Sequence, residues 1–139
     1  MQEVMTTKTL HHRDRVSPGL LWTLRILVTA QAAGLIVAAS FAGQGVKGGE
    51  ALAETHVMAG MVVHLIALVQ IIAAVLVWRP GRGAGWPALA SLALFLIGMG
   101  QHFTTEMLGT HVPSGVMLFG LDVALLVWVW SSRAATRSS

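Results

Sequence analysis

The chain has 139 residues, 55% of them hydrophobic and only 11% charged, a balance too apolar for a water-soluble domain of this size. Its net charge of +3 does not mark a nucleic-acid binder, because the basic residues flank apolar stretches and are not gathered into one patch. The absence of cysteine excludes a disulfide framework, an iron–sulfur cluster with thiolate ligands and covalent C-x-x-C-H haem attachment.

Residues 1–19 are polar, carry His11, His12, Pro18 and Gly19, and predict a flexible lead. Four apolar stretches follow, at residues 20–43, 54–78, 87–107 and 112–130, each near the roughly 20 residues with which a helix crosses about 30 Å of hydrocarbon. They read as helices, since backbone groups in lipid must be satisfied within the segment and no strand-like alternation occurs. The first stretch ends in a small-residue run, Ala38-Ala39-Ser40, that suits a cleaved signal peptide. The long polar lead and full span length favour a retained helix. Gly43-Gln-Gly-Val-Lys-Gly-Gly49 predicts a flexible connection. Arg79-Pro-Gly-Arg-Gly-Ala-Gly-Trp-Pro87 predicts a tight turn with Pro87 in the first turn of the third helix, and Leu108-Gly-Thr110 a short turn before His111. Residues 132–139 form a polar tail. The expected architecture is an all-α, four-helix transmembrane bundle over residues 20–131, running up-down-up-down.

Charge sets the expected orientation. Lys8, Arg13, Arg15, Arg25, Arg79, Arg82, Arg133 and Arg137 lie on one side of the spans and only Lys47 on the other, so both termini and the Arg79 loop are expected in the cytoplasm. Trp22, Trp78, Trp86, Trp128 and Trp130 all fall at the same inner span ends, where amphipathic rings prefer the headgroup level.

The second span opens His56-Val-Met-Ala-Gly60 and the fourth opens His111-Val-Pro-Ser-Gly115. Both helices start at the outer face, so the two H-V-x-x-G segments suggest a two-fold pseudo-repeat about an axis along the membrane normal. Glycine four residues after histidine lies on the same helix face one turn deeper, where it admits a flat ligand or a close helix. His64 is expected about 12 Å below His56, with His102 of the third span at comparable depth. Two level pairs result, His56 with His111 and His64 with His102. Paired imidazoles from facing helices suit a six-coordinate haem iron. The bland alternatives are headgroup-level histidines for the first pair and interhelical hydrogen bonds for the second. Proline disfavours helical geometry in the residue before it, so Pro113 offers an alternative in which His111 precedes the regular helix.

Other polar groups fill out the reading. Glu54 and Glu106 are candidates to orient an imidazole. Met58, Met61, Met99 and Met107 lie in the outer half and, with histidine, could hold copper. Asp122 is placed to relay protons or anchor a quinone or partner, or else to be a structural carboxyl bonded to the equally buried Gln31 or Gln70. No hydrolase, kinase, phosphate-loop or zinc-protease motif occurs.

Three signatures, Gln31-Ala-Ala-Gly34, His56-x-x-x-Gly60 and His111-x-Pro-x-Gly115, resemble an uncharacterised family of small four-helix bacterial membrane proteins over residues 29–130. More loosely, the chain is similar to one half of a haem A synthase, a four-helix unit with haem-ligating histidines on its second and fourth helices. That resemblance implies ligand roles for His56 and His111. It does not imply the synthase reaction, because the synthase motif E-x-x-H-R is here Glu54-Thr-His56-Val.

The leading expectation is therefore a haem b-binding protein of the bacterial cytoplasmic membrane, of electron-transfer or redox-partner type. One haem lies near the outer face between the second and fourth helices, lined by His56, His111, Gly60, Gly115, His64 and His102. Its expected partners are the lipid bilayer, a membrane redox partner or quinone, and further copies or a larger complex. The alternatives are a non-catalytic scaffold that packs on a partner through Gly34, Ala38 and Gly98, and an outward-facing copper protein.

Overall fold

The computed structural model describes residues 15–136. The lead up to residue 14, with His11 and His12, and the last three residues of the tail lie outside that range.

Four helices carry the fold: α1 (Pro18–Gly48), α2 (Glu50–Trp78), α3 (Trp86–Gln101) and α4 (Leu108–Trp130), followed by a 3-10 turn at Ser132–Ala135. The described residues contain no strand beyond an isolated bridge between Arg15 and Thr136. Pro18 and Pro87 occupy the first turns of α1 and α3, where a missing N–H removes no helical bond. At the C-terminus of α2 the chain is capped by Gly81 N–H donating to the Leu76 carbonyl (3.0 Å) and Gly83 N–H to the Val77 carbonyl (2.8 Å). A Cβ at Gly81 would run into the Val77 carbonyl, so the close return of the chain requires glycine there.

Two connections differ from expectation. The glycine-rich stretch 43–49 is not a loop, because α1 continues to Gly48 and a single residue, Gly49 at φ 80°, reverses the chain into α2. The added turns are held by close packing, with Gly45 directly against Ala53 of α2. Secondly, α3 stops at Gln101, and α4 starts at Leu108. Between them His102 N–H bonds to Met99, Phe103 to Gly100, Thr104 to Gln101 and Met107 to Thr104, a series of i to i+3 turns in place of helix. Apolar Phe103 and Met107 had extended the expected third span to residue 107.

Helices α1, α2 and α4 are long and apolar enough to cross a membrane. The 16 residues of α3 rise only about 24 Å, short of a full hydrocarbon core. Outward faces carry Ile26, Leu65, Leu89 and Val127, all exposed, as contact with lipid tails requires.

Each helix packs on its chain neighbours and α4 closes on α1, so α1 faces α3, and α2 faces α4, only across the centre. One end of the bundle holds the tryptophans. Trp22 meets Trp130 edge-on at 5.5 Å and Trp86 meets Trp128 at 5.2 Å. There Arg25 lies over Trp22 and Trp130 and donates from Nε to the Val129 carbonyl at 2.8 Å. The tails join this end: Val16 N–H donates to the Ala135 carbonyl at 3.1 Å, and Val16 and Ala134 are buried. The histidines stand at the opposite end.

Candidate cofactor site

At the histidine end the four helices enclose a cavity of about 670 Å³, lined by His56, Gly60, His64, His102, His111 and Gly115. All six residues expected to line the haem site therefore border one space. Its volume is in the range of small-molecule and cofactor sites. Ile36 of α1 and Val112 and Val116 of α4 also line it and are themselves exposed, so the cavity opens sideways between these helices toward lipid.

His56 and His111 meet across the centre with ring centroids 6.2 Å apart and planes at 68°. His56 Nδ1 lies 2.8 Å from the Ala38 carbonyl. A carbonyl can only accept, so the proton is on Nδ1 and Nε2 carries a free lone pair. His111 Nδ1 lies at a longer 3.4 Å from Thr104 Oγ1. That hydroxyl also has carbonyl acceptors at Gly100 and Gln101, both at 3.3 Å; with its proton on the backbone, its lone pair is open to Nδ1–H of His111. Each imidazole thus has a protein partner at Nδ1, and for His56, whose partner can only accept, this leaves Nε2 available, the arrangement that outer hydrogen-bond partners impose on metal-binding histidines.

The supporting groups are not the expected ones. Glu54 and Glu106 are exposed, and the orienting acceptors are the Ala38 carbonyl and Thr104. Gln101 adds a clamp, donating from Nε2 to the His111 carbonyl (3.2 Å) and to Ser114 Oγ (2.6 Å). Nothing in the sequence marked Ala38 or Thr104. Gln101, a carboxamide at the end of an apolar helix, is the one such group whose residue type is a visible signal in the sequence.

His111 does not precede its helix. Its N–H bonds to the Met107 carbonyl at 2.8 Å, and Pro113 is accommodated inside the opening turns of α4. So near the N-terminus proline removes one intrahelical bond and leaves the turn intact.

The second pair also meets. His64 and His102 have ring centroids 5.0 Å apart, and His64 rests edge-on to Phe95 at 5.4 Å. His64 Nε2 is buried and has no hydrogen-bond partner, so the expected interhelical hydrogen bond is not formed there. Gly98 makes room for this ring, since a Cβ would stand 2.9 Å from His64 Cε1.

Gly34, Ala38 and Gly98 were the candidate faces for an external partner. They are used inside the bundle: Gly34 packs on Val63, Ala38 is buried and bonds His56, and Gly98 lies under His64. Met58, Met61, Met99 and Met107 are exposed and none lines the cavity. Among the described residues no group of three or more His, Cys, Asp or Glu is close enough to hold a metal ion by itself. Asp122 is fully buried, as expected, but neither of its oxygens bonds Gln31, Gln70 or any other group.

No protein-family model, no curated protein and no solved structure matches this chain.

Proposed function

We propose that the chain is a haem b-binding membrane protein of electron-transfer type, with His56 and His111 as the axial ligands. The observation that carries this reading is the pair of imidazoles, each with a protein partner at Nδ1, whose ring centroids stand 6.2 Å apart at one cavity. An imidazole nitrogen stands about 2 Å from a bound first-row metal ion and the ring centre roughly 1 Å behind it, so two such rings on opposite sides of one ion hold their centroids roughly 6 Å apart. Two imidazoles fall short of the four or more ligands that most divalent ions take but complete the coordination of a haem iron. When bound, haem supplies reversible one-electron chemistry at a site that needs no other catalytic group.

The chain's own residues shape that site. Gly60 and Gly115 face open space, with nothing within 4 Å of a Cβ at Gly60 and only Gln101 Nε2, at 4.0 Å, near one at Gly115. They keep the wall below each ligand flat. The buried Leu94 and Leu118 form apolar parts of the cavity's deep wall. The sideways opening between α1 and α4 suits a lipid-soluble molecule arriving from the bilayer. By the positive-inside rule the tryptophan end is cytoplasmic, both termini are inside, and the histidine cavity lies near the outer face.

Protein purified in detergent from haem-replete cells is expected to show the Soret and reduced α-bands of low-spin haem b. Colourless protein that also takes up no added hemin would overturn the assignment. Orientation is separately testable because the chain has no native cysteine. A single cysteine at Gly109 is expected to react with an impermeant reagent from outside and one at Arg82 only after the membrane is opened. The reverse pattern would invert the topology.

A further inference from the structure

Each of the four helices buries one polar side chain: Gln31 of α1 at 1% exposure, and Gln70 of α2, Ser91 of α3 and Asp122 of α4 at 0%. The four share a level. Gln70 Nε2 donates to Ser91 Oγ at 3.1 Å, which joins α2 to α3 directly. Measured from the touching rings of Trp22 and Trp130, Gln31 and Asp122 stand about 13 and 12 Å along their helices; measured from Trp86 and Trp128, Ser91 and Asp122 stand about 8 and 9 Å along theirs. The cavity touches this layer at Gln31, while Gln70, Ser91 and Asp122 lie beyond its lining, Asp122 one turn from the lining residue Leu118.

The hydrogen bonding within the layer is one-sided. Ser91 Oγ passes its own proton to the Pro87 carbonyl at 2.7 Å and receives Gln70 Nε2, which turns Gln70 Oε1 away from α3. Gln31 Oε1, Gln70 Oε1 and both carboxylate oxygens of Asp122 are buried with no partner. All four are acceptors. The nearest arginine along α1, Arg25, is committed to the Val129 carbonyl and to two tryptophan faces at the bundle's end. Unpaired acceptors in a low-dielectric interior are costly, and a carboxylate is the costliest. A proton on Asp122 turns one acceptor into a donor for a second, and a water molecule pairs two, whereas one hard cation among the four oxygens pairs with them all. The donor set is oxygen only, which suits such an ion, and a single carboxylate among neutral amides balances a single positive charge.

We propose that Gln31, Gln70 and Asp122 form a binding site for a monovalent, sodium-sized cation, reached from the histidine end through the cavity and with Ser91 as the residue that positions Gln70. The proposal does not rest on the haem reading, since none of these residues is assigned to haem, and its test uses haem-free protein, in which the cavity is open.

Thermal unfolding of the purified protein in detergent tests it, with sodium, potassium or choline chloride at one ionic strength. Sodium is expected to raise the unfolding temperature saturably, because an ion that binds only the folded state stabilises it by mass action, and choline to leave it unchanged. Asp122→Asn keeps the shape and removes the charge, and is expected to abolish the sodium response. Where that variant does not fold, Gln31→Leu and Gln70→Leu are expected to weaken equilibrium binding of radioactive sodium by tenfold or more. An unfolding temperature that depends on pH but is equal in all three salts would overturn the proposal and mark Asp122 as a protonated structural carboxyl. A sodium response retained in Asp122→Asn would overturn it equally.

Discussion

At the tryptophan end, Leu24, Val28, Val77, Leu125 and Val129 are fully buried and interlock in one continuous core with Leu21, Ala73, Ala74 and Ala88. At the histidine end the same four helices turn Ala38, Ala42, Gly60, Gly98 and Gly115 inward, and a cavity stands where the core would continue. The difference is one of side-chain volume. Branched residues at inward positions fill the space between helices to native density, whereas alanine and glycine leave room, and the imidazoles that share this end border the gap without closing it. Stability is thus concentrated at one end of the bundle and binding capacity at the other.

That contrast can be broken most forcefully by filling the cavity. Gly60→Leu or Gly115→Leu is expected to remove most of the bound haem while circular dichroism keeps its helical signal, since the new side chain takes the space below a ligand and meets little protein. Full haem content in either variant would show that the ligand lies elsewhere. The packed end should respond in stability. Leu125→Ala is expected to cost about 2 kcal/mol or more in reversible unfolding, and Leu35→Ala, on the cavity wall, clearly less. Equal losses would mean the two ends are packed alike.

Glycines give a finer comparison. Gly60→Ala is expected to stabilise haem-free protein by roughly 0.5–1 kcal/mol, because a helical glycine is replaced where a Cβ meets nothing. Gly34→Ala, whose Cβ would come 2.7 Å from Val63 Cγ2, is expected to gain nothing or lose stability. The smallest expected effect is that of Thr104→Val, which deletes the long contact to His111 Nδ1 and should loosen haem retention a few-fold without changing spin state.

Much of the fold was legible because apolar run length and polar punctuation both report on helices in lipid. The limits lay at the connections. The glycines of stretch 43–49 read as a loop, yet α1 runs on through them with Gly45 beside Ala53 of α2, a tertiary contact that local propensity does not register. The third span was read too long because Phe103 and Met107 are apolar, although they belong to a turn. In the site, the histidines and glycines were visible as a repeated five-residue pattern. Their orienting partners were not, because the Ala38 carbonyl has no side-chain signature and Thr104 lies in the turn that was misplaced. Asp122, Gln31 and Gln70 were legible as buried polar residues, but only the structure shows that their oxygens are unpaired.

The central claim is that two of the four membrane histidines, His56 and His111, ligate one haem. Optical and electron paramagnetic resonance spectra of the four single alanine variants test it most directly. His56→Ala and His111→Ala are each expected to convert six-coordinate low-spin haem to an open, high-spin form or to lose it, because one axial bond is gone. His64→Ala and His102→Ala are expected to keep the low-spin signal. Low-spin haem that survives in His56→Ala and His111→Ala, or that depends instead on His64 and His102, would contradict the account.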